Sequence, residues 1–206
     1  MYRYYLAVIF GAPSLLALIG WLAGDIPLHL SFIASYGATA TAFAVGAITA
    51  ILIRAAIPAA FFDPLSRRFR VRKWERRFYV RIGIRHWKDR IPETGALLGY
   101  LSKRQIADRK DNAYLMHFMT ETCYAETMHL ACVLTGFLIL IPGAFVESAY
   151  LVCLILPVAI IHGILHFLPV LVQRYIRPFL LHAYLHNKAK EKTNIGGQTP
   201  TYTHAP

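Results

Sequence analysis

The chain has 206 residues, 56% of them hydrophobic, with a mean hydropathy of +0.43 and a formal net charge of +11. That hydropathy argues against a soluble protein of this length, and the charge must sit beside, not within, the apolar segments. The three cysteines, Cys123, Cys132 and Cys153, are odd in number and lack CxxC spacing. This argues against a disulfide framework and makes them small apolar fillers.

Four segments are apolar enough to cross a bilayer, whose hydrocarbon core needs about 20 helical residues. They cover about residues 4–23, a stretch within 32–62, about 127–146 and about 149–172. The first segment has the length of a signal peptide, but no small-x-small cleavage site precedes Asp25, which favours a retained helix. In the second, Gly37, Ala38, Thr39, Ala40, Thr41, Ala42, Gly46 and Ala47 supply the small side chains that close helix packing requires.

Charge orients these spans. Between Phe62 and Ala125 there are fifteen Lys and Arg against seven Asp and Glu, and five basic residues against one acidic follow Gln173. The two other short loops carry Asp25 and Glu147. Basic loops stay in the cytosol, so both termini and the long middle loop are expected there, in a multi-pass protein of the cell membrane. The basic face then meets lipid headgroups or a phosphorylated substrate, not nucleic acid. The expected fold is all-α, an integral membrane protein with four transmembrane helices and a basic interfacial cytosolic subdomain between the second and third. Its parts are an N-terminal hairpin (1–62), the amphipathic loop (63–125), a C-terminal hairpin carrying the polar site (126–180) and a cytosolic tail (181–206) ending in a disordered stretch.

Within the loop, Trp74, Phe78, Tyr79 and Trp87 interleave with Arg72, Lys73, Arg76, Arg77, Arg81 and Arg85. This suits an element lying among headgroups, although ordinary positive-inside flanking sequence would look similar. Residues 83–95 differ, because Pro92 and Gly95 punctuate a turn next to a mixed-charge cluster. A further amphipathic stretch, 111–125, feeds into the third span.

Ionisable groups inside apolar helices are costly and mark function. Glu126 and His129 stand at the mouth of the third span, one helical turn apart. His162, His166, Gln173 and Arg177 share one face of the fourth. A turn centred near Phe145 would set His129 opposite His162, Glu126 opposite His166, and His117 near Arg174. Three readings fit these residues. One is a structural polar network. Another is a metal site in the manner of histidine-box membrane oxygenases, built on His162-x3-His166 and His182-x3-His186, although the further HxxHH box is absent. The third is acid–base catalysis, with His129 as base, Glu126 or Glu121 fixing its tautomer, and Arg174 or Arg177 holding phosphate or developing negative charge.

At these residues the chain resembles the glycosyl-4,4'-diaponeurosporenoate acyltransferases of staphyloxanthin-type carotenoid biosynthesis. Three strings carry the resemblance: the Gly83-to-Gly95 segment with Arg85-His86-Trp87-Lys88-Asp89, the Glu121-to-His129 segment, and Val172-Gln173-Arg174-Tyr175-Ile176-Arg177-Pro178. Tyr124 stands where that family leads one to expect Arg. The resemblance implies a small membrane enzyme that moves a fatty acyl group onto a sugar hydroxyl of a membrane-embedded glycolipid such as a glycosylated carotenoid. The expected donor is a thioester, with acyl-CoA as co-substrate, and no cofactor or metal is required because a thioester is already activated towards a hydroxyl. The acid–base reading then takes His129 as base, with Glu126 orienting it and Glu121 in support. Arg85 and Lys88, beside Trp87 and Asp89, would meet the donor's phosphates. Gln173, Arg174, Tyr175 and Arg177, with His162 and His166 lining the cavity, would hold the substrates. The competing class is a non-catalytic membrane scaffold for a biosynthetic complex.

Overall fold

The computed structural model describes residues 2–91 and 108–196. Four helices in it are long and apolar enough to cross a membrane, and the described residues contain no strand, as the all-α expectation requires. The first two, α1 (Tyr2–Gly24) and α2 (Leu28–Ala56), form a hairpin closed by three residues. Asp25 makes that corner in the left-handed region (φ 52°), which its short polar side chain tolerates. Pro27 then opens α2.

Between the hairpins the chain folds as short pieces. Turns of 3₁₀ helix at Ala59–Phe62 and Arg67–Phe69 lead into α3 (Lys73–Arg81). Gly83 (φ 61°) terminates that helix in the left-handed region, where glycine alone escapes the Cβ penalty. The chain then re-enters α4 (Ile84–Trp87) and a last 3₁₀ turn, Lys88–Arg90. On α3, Glu75 and Tyr79 are buried, one turn apart, while Trp74, Phe78, Arg76 and Arg77 are exposed. The Pro92-to-Gly95 part of the tryptophan segment lies outside the described residues.

The second hairpin is larger. Asp111 caps α5 (Asn112–Gly136) through a 2.8 Å bond from the Ala113 N–H to its carboxylate. After short turns through Gly143 and from Ser148, a π-helical segment, Leu151–Ile155, leads into α6 (Leu156–Gly196). The amphipathic stretch ahead of the third span is therefore continuous with it. The helix α6 runs unbroken through Pro169 and Pro178. Its 41 residues extend about 60 Å, twice the thickness of a bilayer core. Residues 181–196 thus continue the helix, and the remainder of the tail lies outside the described residues.

Packing follows burial. One apolar cluster (Leu16, Ile26, Ala42, Leu154, Val158) joins the two hairpins at the end away from the basic segment. Another (Leu115, Phe118, Met119, Leu180, Tyr184) holds α5 to α6 beyond the site. Two smaller ones, Phe62–Phe69–Cys123 and Tyr79–Ile84–Val172, dock the intervening segment onto α5 and α6. Large apolar side chains face outward elsewhere (Leu22 72%, Ile33 67% and Leu134 73% exposed), as a lipid-facing surface requires.

The register of the α5–α6 pair departs from the symmetric-turn expectation. His129 meets His166, not His162, and Glu126 meets Arg174 and Arg177, not His166. His117, expected near Arg174, is exposed. Part of the shift has a local cause: the 3₁₀ turn Phe137–Ile139 extends the first arm further per residue, while the π-helical segment shortens the second. Both effects bring later residues of α6 level with a given residue of α5.

Candidate active site

The site is built where α5, α6 and α3 converge. At 1.5 Å per residue along α6, His162 lies about 6 Å before His166, and Arg174 and Arg177 lie about 12 and 17 Å beyond it. The two arginines therefore stand about two to three helical turns beyond His166 along α6, on the side of the basic segment.

Glu126 is the hub. It is 4% exposed, and both oxygens lie against guanidinium groups: Oε1 against Arg174 Nη1, and Oε2 against Arg177 Nη2 at 2.7 Å, close but poorly aligned for a hydrogen bond. Arg177, 2% exposed, also donates from Nε to Thr122 Oγ1 (2.9 Å) and from Nη1 to the Phe69 carbonyl (2.9 Å). A buried charge is tolerated only when paired and hydrogen-bonded in this way. Arg174 faces the mouth. Its Nε and Nη2 reach Glu75 Oε2 and Oε1 at 2.8 and 3.0 Å, a fork-on-fork pair, and Nη2 also approaches the Arg70 carbonyl at 3.4 Å.

Glu75 was not among the expected site residues, yet it ties α3 to the site. Besides Arg174 it accepts from the Arg72 N–H (3.0 Å) and the Tyr79 hydroxyl (3.1 Å). Burial by itself would raise its carboxyl. The Arg174 guanidinium outweighs that, helped by the Arg72 N–H and Tyr79, and holds the group below its ordinary value. Burial first, and then the adjacent Glu75 charge, push the Tyr79 hydroxyl up to about 12. The sequence held one signal for this residue: Glu75 is the single acid between Asp63 and Asp89. Thr122 carried no signal, since its partner comes from another helix.

Beneath the arginines lies a row of imidazoles. His129 Nδ1 and His166 Nδ1 are 3.0 Å apart, so one donates to the other, and the His166 and His162 rings stand 4.5 Å centre to centre. His162 is buried edge-on to Phe43. Its ring occupies the space of an absent side chain at Gly136, where a Cβ would lie 2.3 Å from Cδ2. Among the described residues no group of three His, Cys, Asp or Glu side chains is placed to hold a metal ion. His182 and His186, the other half of the histidine-box reading, are exposed.

The remaining expected residues divide. Tyr175 packs edge-on to Tyr79 and Phe179 beside the Trp87 cluster. Trp87 donates its indole N–H to the Ile82 carbonyl (3.0 Å), fixing the turn, and Lys88 bridges to Asp89 at 2.6 Å. Arg85 is exposed, and Gln173 is half-buried. Glu121 turns instead toward α2, 3.8 Å from Arg54, so its expected place beside His129 is corrected. That Arg54 guanidinium also sits 4.5 Å over the Tyr124 ring, putting a positive group at the position where Arg was expected on α5.

Fold and site together define an all-helical membrane-type protein whose ionisable groups are gathered at one end of an antiparallel helix pair. The chain belongs to the glycosyl-4,4'-diaponeurosporenoate acyltransferase family, whose model matches residues 58–184. The matched stretch runs from the end of α2 to Tyr184 and includes every arginine and histidine of the cluster just described. No curated protein and no solved structure matches the chain.

Proposed function

We propose that the protein transfers a fatty acyl group from a thioester, acyl-CoA, to a hydroxyl of a glycosylated carotenoid or a related membrane glycolipid. The acceptor oxygen attacks the thioester carbonyl, its proton passes to His129, the C–S bond breaks and the thiolate leaves to take up a proton. Where His129 donates from Nδ1 to His166, its Nε2 is the basic nitrogen, so His166 sets the tautomer that the sequence assigned to a carboxylate. The observation that carries this reading is the 3.0 Å His129–His166 contact, one turn along α5 from Glu126 and its two arginines. Imidazoles on the apolar side of the arginines suit a reaction between a lipid hydroxyl and an acyl chain. A guanidinium cluster on the side of the basic segment suits the donor's phosphates or the oxyanion of the tetrahedral intermediate.

In this arrangement Arg174, the more open of the two arginines, faces substrate, while Arg177 and Glu126 position it. Arg85 and Lys88, on the turn anchored by Trp87, meet the phosphates of the donor, and Gln173 and Tyr175 line the approach. The excess of basic residues in the middle segment supports a mouth, and with it an acyl-CoA side, on the cytosolic face of the cell membrane.

The test is direct. Protein purified into lipid nanodiscs, given radiolabelled acyl-CoA and a glycosylated carotenoid acid, is expected to form an ester. His129→Ala is expected to lose at least about a hundredfold in kcat while keeping the wild-type circular dichroism. Unchanged turnover in that variant removes His129 from the chemistry. Ester-independent function lost on neutralising Arg72, Arg76 and Arg77 would instead favour the scaffold.

A further inference from the structure

The short helix α3 (Lys73–Arg81) divides its surface three ways. At about 100° per residue, Glu75 and Tyr79 fall on one side, which α6 covers through Arg174 and Tyr175. Trp74, Arg77, Phe78 and Arg81 recur at i, i+3, i+4 and i+7 and form a second strip, all four side chains exposed. Lys73, Arg76 and Val80 make up the third side, also exposed.

The second strip joins exposed rings to unbalanced charge. Trp74 is 61% and Phe78 42% exposed, although Tyr79 beside them is buried. Residues 67–90 hold eleven Lys and Arg against two acids. Both acids are engaged, Glu75 with Arg174 and Asp89 with Lys88. Among the described residues, no carboxylate lies within ion-pair distance of Arg76, Arg77 or Arg81. Indole and phenyl rings settle among lipid headgroups, and guanidiniums pair with phosphate, so an anionic lipid surface satisfies both halves of the strip at once. A merely solvated basic flank has no use for the two rings.

The helix also lies across its neighbour. The cluster that joins residues 71–91 to α6 uses only Leu171, Val172, Tyr175 and Ile176 of that helix, under two turns. Yet α3 alone is about 13 Å long, so it crosses α6 and does not run along it. A helix set across a membrane span lies along the membrane plane, where one of its long sides can rest on lipid.

We propose that the strip Trp74–Arg77–Phe78–Arg81 docks on the surface of the bilayer that the protein spans and binds anionic phospholipid headgroups there. The proposal goes beyond acyl transfer and does not depend on it. Because Glu75 on another side of the same helix grips Arg174, lipid that holds the strip also holds the rim of the site.

Full-length protein is placed in nanodiscs of phosphatidylcholine, with and without phosphatidylglycerol. The tryptophan emission that Trp74→Phe removes belongs to Trp74, and it is expected to be quenched by lipid brominated near the top of its acyl chains. Amide exchange within 74–81 is expected to slow by at least about fivefold when phosphatidylglycerol is present, the effect of one basic side chain at an anionic surface. Arg77→Gln with Arg81→Gln should abolish that slowing, while lysine at both positions retains it; all these positions are exposed, so the fold is kept. Trp74 emission indifferent to brominated lipid, exchange indifferent to phosphatidylglycerol, or slowing that survives the glutamine pair overturns the proposal. Slowing by free coenzyme A in phosphatidylcholine discs, without any from phosphatidylglycerol, makes the strip a site for a soluble polyphosphate and overturns it as well.

Discussion

Arg174 of α6 and Glu75 of α3, 99 positions apart in sequence, meet fork-on-fork at 2.8 and 3.0 Å. Through this pair the short helices between the two hairpins are fastened to the site, because Arg174 also holds Glu126 of α5. Three elements thus share one guanidinium. Glu75→Gln keeps the shape and an acceptor but removes the charge. It is expected to cost roughly 1–3 kcal/mol in unfolding free energy and to raise the rate of limited proteolysis within 57–91. A variant as protease-resistant as wild type would show that apolar docking alone holds the segment.

The same carboxylate predicts a pH dependence. Its folded pKa lies below the ordinary value of 4.5, so near and below that pH the unfolded chain binds the proton more readily than the folded one. The Glu75 contribution is therefore complete above the unfolded value and lost as pH falls through the folded one. Thermal midpoints of wild type should fall between pH 5 and lower values more steeply than those of Glu75→Gln, about as shown by linkage for a single paired carboxylate. Parallel curves would remove Glu75 as the titrating group.

The two arginines should differ under conservative exchange. Arg177 uses its fork on Thr122, the Phe69 carbonyl and Glu126 while buried, so a lysine would leave at least one partner without a donor. Arg177→Lys is expected to destabilise the protein by about 2 kcal/mol or more. Arg174 is the less buried of the two, but its partners Glu75 and Glu126 are buried. Arg174→Lys loses the fork on Glu75 and is expected to cost about as much stability as Glu75→Gln, and to reduce transfer activity beyond what that variant does. Calorimetry and turnover of both variants separate positioning from substrate contact.

Two glycines test the seat of His162. At Gly136 a Cβ would lie 2.3 Å from the imidazole, whereas at Gly46 the nearest imidazole atom is 3.5 Å away. Gly136→Ala is expected to displace the ring and cost about 1–3 kcal/mol, as overpacking does. Gly46→Ala should be nearly neutral. Equal melting temperatures for the two variants would mean that His162 moves aside freely.

Much of this protein is legible from composition and order. The four spans, the all-helical class, the basic middle segment and the placing of Glu126, Arg174 and Arg177 in one region follow from local rules: about 20 apolar residues cross a bilayer, and charge within such runs faces inward. The Gly83–Gly95, Glu121–His129 and Val172–Pro178 strings pointed to the family that the matched residues 58–184 bear out. Pairing was another matter. The sequence assigned Glu126 and Glu121 to His129, but tertiary packing put Glu126 between two guanidiniums, turned Glu121 toward Arg54 and gave His129 an imidazole neighbour. A change of helical pitch around the turn moves every cross-helix contact along, and nothing in the hydropathy pattern records it. The pairing of Glu75 and the seat of His162 were likewise beyond reach, because both are made by helices far apart in the chain. Apolar periodicity tells each helix to lie in lipid and which side to hide, whereas partners across a helix interface depend on depth and rotation, which only the packed bundle sets.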